Sequence, residues 1–262
     1  MITINTILSR RDLTFLEAVI ARYGYLVNIS EMKSLFNDLS EEEIHQRIGL
    51  LVKRGWLVRI KQGFYSVANL ESHNFANISP LIISSIFVPD SYVSFEYALN
   101  YHGYFDQMPE TLTAVTPQKS KRYCFQDITY RFIKTQQYMM FGYTEEVIDG
   151  KRVAIAKIEK VLLDYLNFRV NAYSVDLVLE KIGEMKEVIN LKRIIEYAAS
   201  YPVSTQRRLG YLLDLCEIKS DSLHEQVKII AGYAKLTKDS NQFNAKWRIY
   251  YENRFTKPIF RR

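Results

Sequence analysis

A chain of 262 residues has room for one large domain or two modest ones, and 48% hydrophobic and 24% charged residues suffice for a packed core, which excludes an extended disordered polymer. Thirty-five Lys and Arg against 29 Asp and Glu leave a net charge of +6, which favours an anionic partner only mildly. No apolar run approaches the roughly 18 residues of a membrane span, residues 81–88 being too short, and residues 1–8 lack the pattern of a secretion signal. The two cysteines, Cys124 and Cys216, have apolar neighbours. The reading is a soluble cytoplasmic protein with free core thiols and no membrane partner.

In chain order, Arg10, Arg11 and Asp12 lead into a helix with Phe15, Leu16, Val19 and Ile20 on one face, ended by Gly24. Ser30 fits the N-cap of a short helix over 31–36, and Asn37, Asp38 and Leu39 fit a turn. Ser40-Glu41-Glu42-Glu43 spells a capping box, in which the Ser40 hydroxyl takes the Glu43 N–H and the Glu43 carboxylate reaches back. The helix it opens runs to about Arg54, with Gly55 as left-handed C-cap. Strands over 56–60 and 64–67 flank Lys61-Gln62-Gly63, a three-residue loop with glycine where a positive φ is expected. Three short helices followed by a β-hairpin predict a winged helix-turn-helix over residues 1–70. Residues 69–78 are polar and read as a linker.

A larger mixed α/β domain is expected over 78–262, making the whole an α+β protein whose C-terminal part is mainly helical. A helix over 91–102 ends at Gly103, strands follow over 111–116 and 128–135, and a hairpin within 147–155 turns at Asp149-Gly150. Beyond Ala156 come four apolar stripes: Ile158, Val161, Leu162 and Tyr165; Val175, Val178, Leu179 and Ile182; Leu191, Ile194, Ile195 and Ala198 behind an Asn190 cap; and Leu209, Leu212, Leu213 and Cys216. The last 28 residues carry eight basic and two acidic side chains, with Trp247, Tyr250 and Tyr251 interleaved.

In a helix-turn-helix the recognition helix enters the major groove. At 100° per residue, Ile44, Ile48 and Leu51 point into the domain, while Glu42, His45, Gln46, Gly49 and Lys53 point outward. Gln46 suits a bidentate contact to adenine, and Glu42 can accept from cytosine N4. Gly49 leaves room for close approach to a duplex, and Lys53 and Arg54 suit phosphates. Arg59, Lys61 and Gln62 make the hairpin a natural wing, its cations placed for phosphates or the minor groove. Three acids at the start of the helix repel phosphates, so a solvated face is the alternative. Trp56, Phe64 and Tyr65 read as packing.

In the second domain Lys119, Lys121 and Arg122 form a basic loop after a strand. Arg207 and Arg208 open a helix, with Arg207 and Tyr211 facing away from its apolar stripe. Both groups fit a DNA or partner surface. The alternatives are a solvated loop for the first and an ion pair with Asp214 for the second.

Sequence signatures of catalysis are missing. Gly150-Lys151 has no upstream glycine for a phosphate loop, and His45, His73, His102 and His224 are scattered without metal-ligand spacing. Glu184-Met185-Lys186 with the earlier Pro89-Asp90 is a sparse nuclease-like pattern, but it ends a helical stretch and does not lie on a strand. The expectation is therefore no catalytic residue, no cofactor and no metal site.

Several blocks stand in a telling order. The run from Leu50 to Tyr65, with Lys53-Arg54-Gly55-Trp56 and Lys61-Gln62-Gly63-Phe64-Tyr65, comes first. Tyr92-Val93-Ser94-Phe95-Glu96-Tyr97-Ala98-Leu99 and Tyr101-His102-Gly103 follow, then Thr113-Ala114-Val115-Thr116-Pro117 and Tyr130-Arg131-Phe132. Val153-Ala154-Ile155-Ala156, Glu159-Lys160-Val161-Leu162-Leu163-Asp164 and Arg207-Arg208-Leu209-Gly210-Tyr211-Leu212-Leu213 complete the set. Spread over residues 12–215, the ordered set resembles the AbiEi-like antitoxins of bacterial type IV, or abortive infection, toxin–antitoxin systems. The resemblance implies a transcriptional repressor that autoregulates its operon, neutralises a cognate nucleotidyltransferase-like toxin, and has no catalytic residues. Helix-turn-helix symmetry adds the expectation of double-stranded DNA with an inverted repeat near the protein's own promoter, bound by two self-associating copies. Rival readings are a metal-dependent nuclease and a protein-interaction module whose winged helix does not bind DNA.

Overall fold

The computed structural model describes residues 8–68 and 78–255, and the chain divides into two compact units, Met1–Phe87 and Val88–Arg262. That division falls later than the break in composition suggests. Apart from Ile78, the expected linker lies outside the described residues, as do residues 1–7 and 256–262.

In the first unit, α1 (Arg10–Tyr23) starts at Ser9, whose hydroxyl takes the Asp12 N–H at 3.1 Å, and stops at Gly24, with φ of 74°. A short strand, β1 (Leu26–Asn28), follows. Next, α2 (Ile29–Leu35) is capped by Asn28 and not by Ser30, which lies inside the helix. The Asn28 side chain takes the Glu31 N–H at 2.9 Å, and Glu31 returns to the Asn28 N–H at 2.7 Å. Glu31 at the third helical position closes a box only with Asn28, which moves the start of the helix forward.

The box at α3 (Glu41–Lys53) forms as expected, with Ser40 N–H donating to Glu43 Oε2 at 2.8 Å. After it, β2 (Leu57–Lys61) and β3 (Phe64–Val67) make a hairpin. Its turn is only Gln62-Gly63, because Lys61 pairs with Phe64 after a bulge beyond Arg59. β1 joins the other edge of β3, giving an antiparallel sheet in the order β1-β3-β2. Three residues are too few to show an alternating pattern, so β1 was invisible in the sequence. Phe15, Leu16 and Val19 of α1, Ile44, Ile48 and Leu51 of α3, Trp56 and Val67 share one core. The unit also contains α4 (Pro80–Phe87).

In the second unit, the stretch expected as one helix over 91–102 begins as β4 (Tyr92–Val93) before α5 (Phe95–Tyr101). Pairing of β4 with two neighbouring strands overrides the helical pattern. Then come β5 (Thr111–Thr116), β6 (Lys121–Phe125), β7 (Ile128–Lys134), β8 (Tyr143–Ile148) and β9 (Lys151–Ala156). Together they form a six-stranded sheet in the order β6-β7-β5-β4-β9-β8. Antiparallel hairpins, β6/β7 and β8/β9, sit at its two edges, and β5/β7 and β4/β9 are parallel.

The helical stretch comprises α6 (Ile158–Phe168), α7 (Ala172–Glu184), α8 (Leu191–Ala198), α9 (Val203–Leu215) and α10 (Asp221–Val227). Asn190 caps α8 as expected, taking the Arg193 N–H at 2.9 Å. A small sheet ends the unit: β10 (Ala234–Lys235), β11 (Gln242–Asn244) and β12 (Ile249–Tyr251), in the order β10-β12-β11. Among the described residues the architecture is mixed α/β, with ten α-helices and three sheets. No described helix is long and apolar enough to cross a membrane.

Cys124 is exposed, contrary to its expected place in the core, whereas Cys216 is buried. The reason is the period of two along β6, which buries Phe125 and turns Cys124 to the other face. Burial pushes the Cys216 thiol up to about 11. In the native protein one thiol per chain should therefore react promptly with a thiol reagent at neutral pH, and the second only on unfolding. Two equally fast thiols would contradict this packing of α9.

Candidate functional site

The first candidate site is the outer face of α3. Glu42, His45, Gln46, Gly49 and Lys53 are all exposed on it, while Ile44, Ile48 and Leu51 are buried beneath. The acids at its start are largely spoken for. Glu41 pairs with Lys33 of α2 at 2.7 Å, and this bond and charge hold its carboxyl below the usual range. Glu43 is held low by the Ser40 N–H and hydroxyl in the capping box. Glu42 is left as the acid facing solvent without a partner of its own. His45 Nδ1 lies 2.7 Å from the Glu41 carbonyl oxygen, which fixes its ring against the helix.

The cations expected to accompany this face are divided. Lys53 and Arg59 are exposed, as is Gln62 at the turn. Arg54 instead meets Asp12 of α1 at 3.2 Å. Its guanidinium ties the end of α3 to the start of α1, which corrects its assignment to a phosphate. Lys61 donates to the Ile86 carbonyl and sits 4.9 Å over the Phe64 ring, so it too is engaged within the unit.

In the second unit Lys119, Lys121 and Arg122 are exposed. Lys121 and Arg122 do not lie on a loop; they begin β6, an edge strand of the six-stranded sheet. Charged residues on an edge strand discourage pairing with another chain.

Arg207 and Arg208 are not a surface pair. Arg207 is 2% exposed, and its Nη2 donates to the Ile230 carbonyl at 2.6 Å. Arg208 donates to the Lys235 and Leu166 carbonyls at 2.8 and 2.9 Å. Tyr211 is buried as well, its hydroxyl donating to the Phe255 carbonyl at 2.8 Å. The segment around β10 and β12 covers the side of α9 that its apolar stripe leaves open, and the sequence pattern gave no sign of that small sheet. Asp214 pairs with Lys246 at 2.7 Å and takes the Trp247 indole N–H at 2.6 Å, so it is unavailable to either arginine. Arg254 is likewise neutralised, by Asp176 and Glu252.

A buried polar network lies at the centre of the second unit. Lys160 and Asp164, one turn apart on α6, are both fully buried, with 3.4 Å between Nζ and Oδ1. Lys160 Nζ donates to Tyr201 Oη at 2.5 Å and to the Met139 carbonyl at 3.1 Å. It also lies 4.3 Å over the Phe141 ring. Asp164 accepts from Tyr201 at 2.5 Å and Ser94 at 2.8 Å. Burial pushes the Asp164 carboxyl up and the Lys160 ammonium down, each opposed by the charge of the other. The network joins α6 to the segment after β7, to Ser94 ahead of α5 and to Tyr201 ahead of α9. Among the described residues no group of three or more His, Cys, Asp and Glu side chains gathers as for a metal. Glu184 ends α7 with its carboxylate on Lys181 at 2.9 Å.

Sequence reasoning missed Arg131 of β7. The signal was present: Tyr130 and Phe132 alternate inward, which turns Arg131 outward, and a Gln126-Asp127 turn sets it opposite Arg122.

No protein-family model matches the chain, and no curated protein matches it. Among solved structures, the RV2827C protein from Mycobacterium tuberculosis is similar, with a TM-score of 0.64 at 12% identity, over 91% of this chain and 92% of that one. At such identity the likeness is one of fold.

The buried pair yields a stability test. Lys160→Met strands Asp164 without its cation and should cost about 3–5 kcal/mol in urea unfolding. Adding Asp164→Leu should return much of that loss, since no uncompensated charge remains. Asp164 has its folded pKa raised, so its proton is favoured in the folded state. The deficit of the single variant should therefore shrink toward acid pH and grow as pH rises through the folded value. A pH-independent deficit would mean that Asp164 is not the stranded charge.

Proposed function

We propose that this protein is a DNA-binding transcriptional repressor whose first unit is a winged helix-turn-helix, and whose second unit is an antitoxin domain directed at a nucleotidyltransferase-like toxin. The observation that carries the DNA half is the outer face of α3. Gln46, Gly49 and Lys53 stand exposed there, on a helix whose Glu41, Glu43 and inner face are already engaged. In this reading α3 lies in the major groove, Gln46 reads a base, and the β2/β3 hairpin contributes Arg59 and Gln62 as a wing. Pairing of Glu41 with Lys33 eases the repulsion that three acids would exert on a nearby phosphate. The antitoxin half rests on the ordered sequence blocks that resemble AbiEi-like proteins. Two copies on an inverted repeat near the promoter complete the proposal, since paired helix-turn-helix units read half-sites that mirror their symmetry.

With Arg54 and Lys61 engaged inside the protein, Lys53 and Arg59 remain of the phosphate contacts expected on α3 and the hairpin. Their share of the salt dependence should be a slope of about −1.8 in log K against log salt, and Lys53→Ala should lessen the slope by about 1. Gln46→Ala should cost about 1–3 kcal/mol on the preferred operator and relax the choice at one base pair. Gly49→Ala separates folding from binding. An added Cβ meets open space on this mid-helix glycine, so the variant should gain about 0.5–1 kcal/mol of stability. The same methyl should weaken operator binding, because it stands between helix and bases. A more stable variant that binds the operator unchanged would remove α3 from the groove.

A further inference from the structure

A cleft of about 770 Å³ opens in the second unit, with β5, β6, β7 and the start of α7 contributing to its walls. Four cations line it, Arg122, Arg131, Arg169 and Lys238, against two carboxylates, Glu96 and Glu110. Glu96 is already committed, taking Arg169 Nη1 at 2.5 Å, while Arg169 Nη2 donates to Thr113 Oγ1 at 2.8 Å. The surplus positive charge therefore sits on the sheet side.

Arg122 and Arg131 are direct partners across β6 and β7, and Arg131 is in register with Thr113 on β5. Arg122 and Arg131 thus stand side by side on two strands, and the Arg169 guanidinium reaches the third strand through Thr113. Like charges placed directly opposite destabilise a strand pair. Neither Arg122 nor Arg131 has an ion pair or side-chain hydrogen bond to relieve this among the described residues. Two further polar groups at the cleft lack partners: the fully buried Ser174 hydroxyl in the first turn of α7, and Arg169 Nε. The N-terminal end of α7 adds its partial positive charge there. Beside it Tyr173 is 53% exposed.

We infer that this cleft binds a phosphate-bearing small molecule, a nucleotide, whose phosphates lie between Arg122, Arg131 and Lys238 and whose base stacks on Tyr173. Guanidinium forks match phosphate oxygens two at a time, and an anion between Arg122 and Arg131 turns their repulsion into a shared bond. The cleft has the size typical of small-ligand sites, roughly 300–1,000 Å³. Its concave form and the Glu110 carboxylate favour a discrete phosphate group over a continuous nucleic-acid backbone. The inference stands apart from the proposed binding of DNA by α3, which uses other residues in the other unit.

Calorimetric titration of the full chain with ATP, inorganic phosphate and adenosine tests it. ATP should bind, phosphate should compete with it, and adenosine should bind far more weakly. Arg131→Gln should weaken ATP by roughly tenfold or more. In the absence of ligand the same variant should melt higher than the parent, because the repulsion with Arg122 is gone. A mere folding defect would lower both. Tyr173→Leu should weaken ATP and leave inorganic phosphate unchanged. Failure of ATP and phosphate to bind at millimolar concentration, or ATP binding unaltered by Arg131→Gln, overturns the inference. It is equally overturned if Arg131→Gln weakens duplex DNA while ATP never binds, since the arginines then serve a nucleic-acid surface.

Discussion

The ion pair between Lys160 and Asp164 is the constraint around which the second unit is arranged. Two charges with no exposed surface are costly to strip of water, and their attraction repays that only when the remaining donors and acceptors are also matched. The matching groups come from separate parts of the chain. Ser94 stands between β4 and α5, Met139 follows β7, and Tyr201 stands between α8 and α9. Tyr92 of β4 adds its ring under the Lys160 ammonium, at 5.3 Å. The pair therefore acts as a pin: α6 satisfies its own charges only if the centre of the sheet and the following helices take these positions. Surrounding apolar packing, with Val161, Leu162 and Tyr165 fully buried on the same helix, supplies the driving force that the pair itself does not.

Around that pinned centre, several cations are tied up within the protein. Arg208 is spent on backbone carbonyls, Arg54 on Asp12, Lys246 on Asp214 and Arg254 on two carboxylates. Each ion pair removes one charge of either sign, so the net charge of +6 is kept while its placement is narrowed. The cations that bear on the two candidate sites are local: the α3 face with Lys53 and Arg59 in the first unit, and the β6 and β7 arginines in the second. A chain with moderate surplus charge can still present sharply placed cations.

Local features were legible because their causes are local. The Ser40–Glu43 box, the Gly24 stop, the Asp149-Gly150 hairpin and the outward face of α3 each depend on residues within a turn or two of one another. Misreadings share the opposite origin. Ser30 lost its capping role to Asn28 because β1, three residues long, ends there. Cys124 left the core because β6 exists, and Arg207 entered it because the small C-terminal sheet folds over α9. Gly210 belongs to the same group: a side chain there would collide with the Trp247 ring, a contact made by residues far apart in sequence.

The sequence by itself determined most of the longer helices and the hairpins with a clear turn signal, several of their caps, and which face of those helices is apolar. Those outcomes follow from backbone propensity, capping and periodicity, all short-range. Tertiary structure alone decided which polar groups meet. Lys160 finds Tyr201, Arg122 finds Arg131, and Arg169 finds Glu96 only after strands pair in one register and helices pack on them. A charged side chain carries no mark of whether it will face water or a partner, because that depends on segments brought together from a distance, and the free energy deciding it arises at the moment of desolvation.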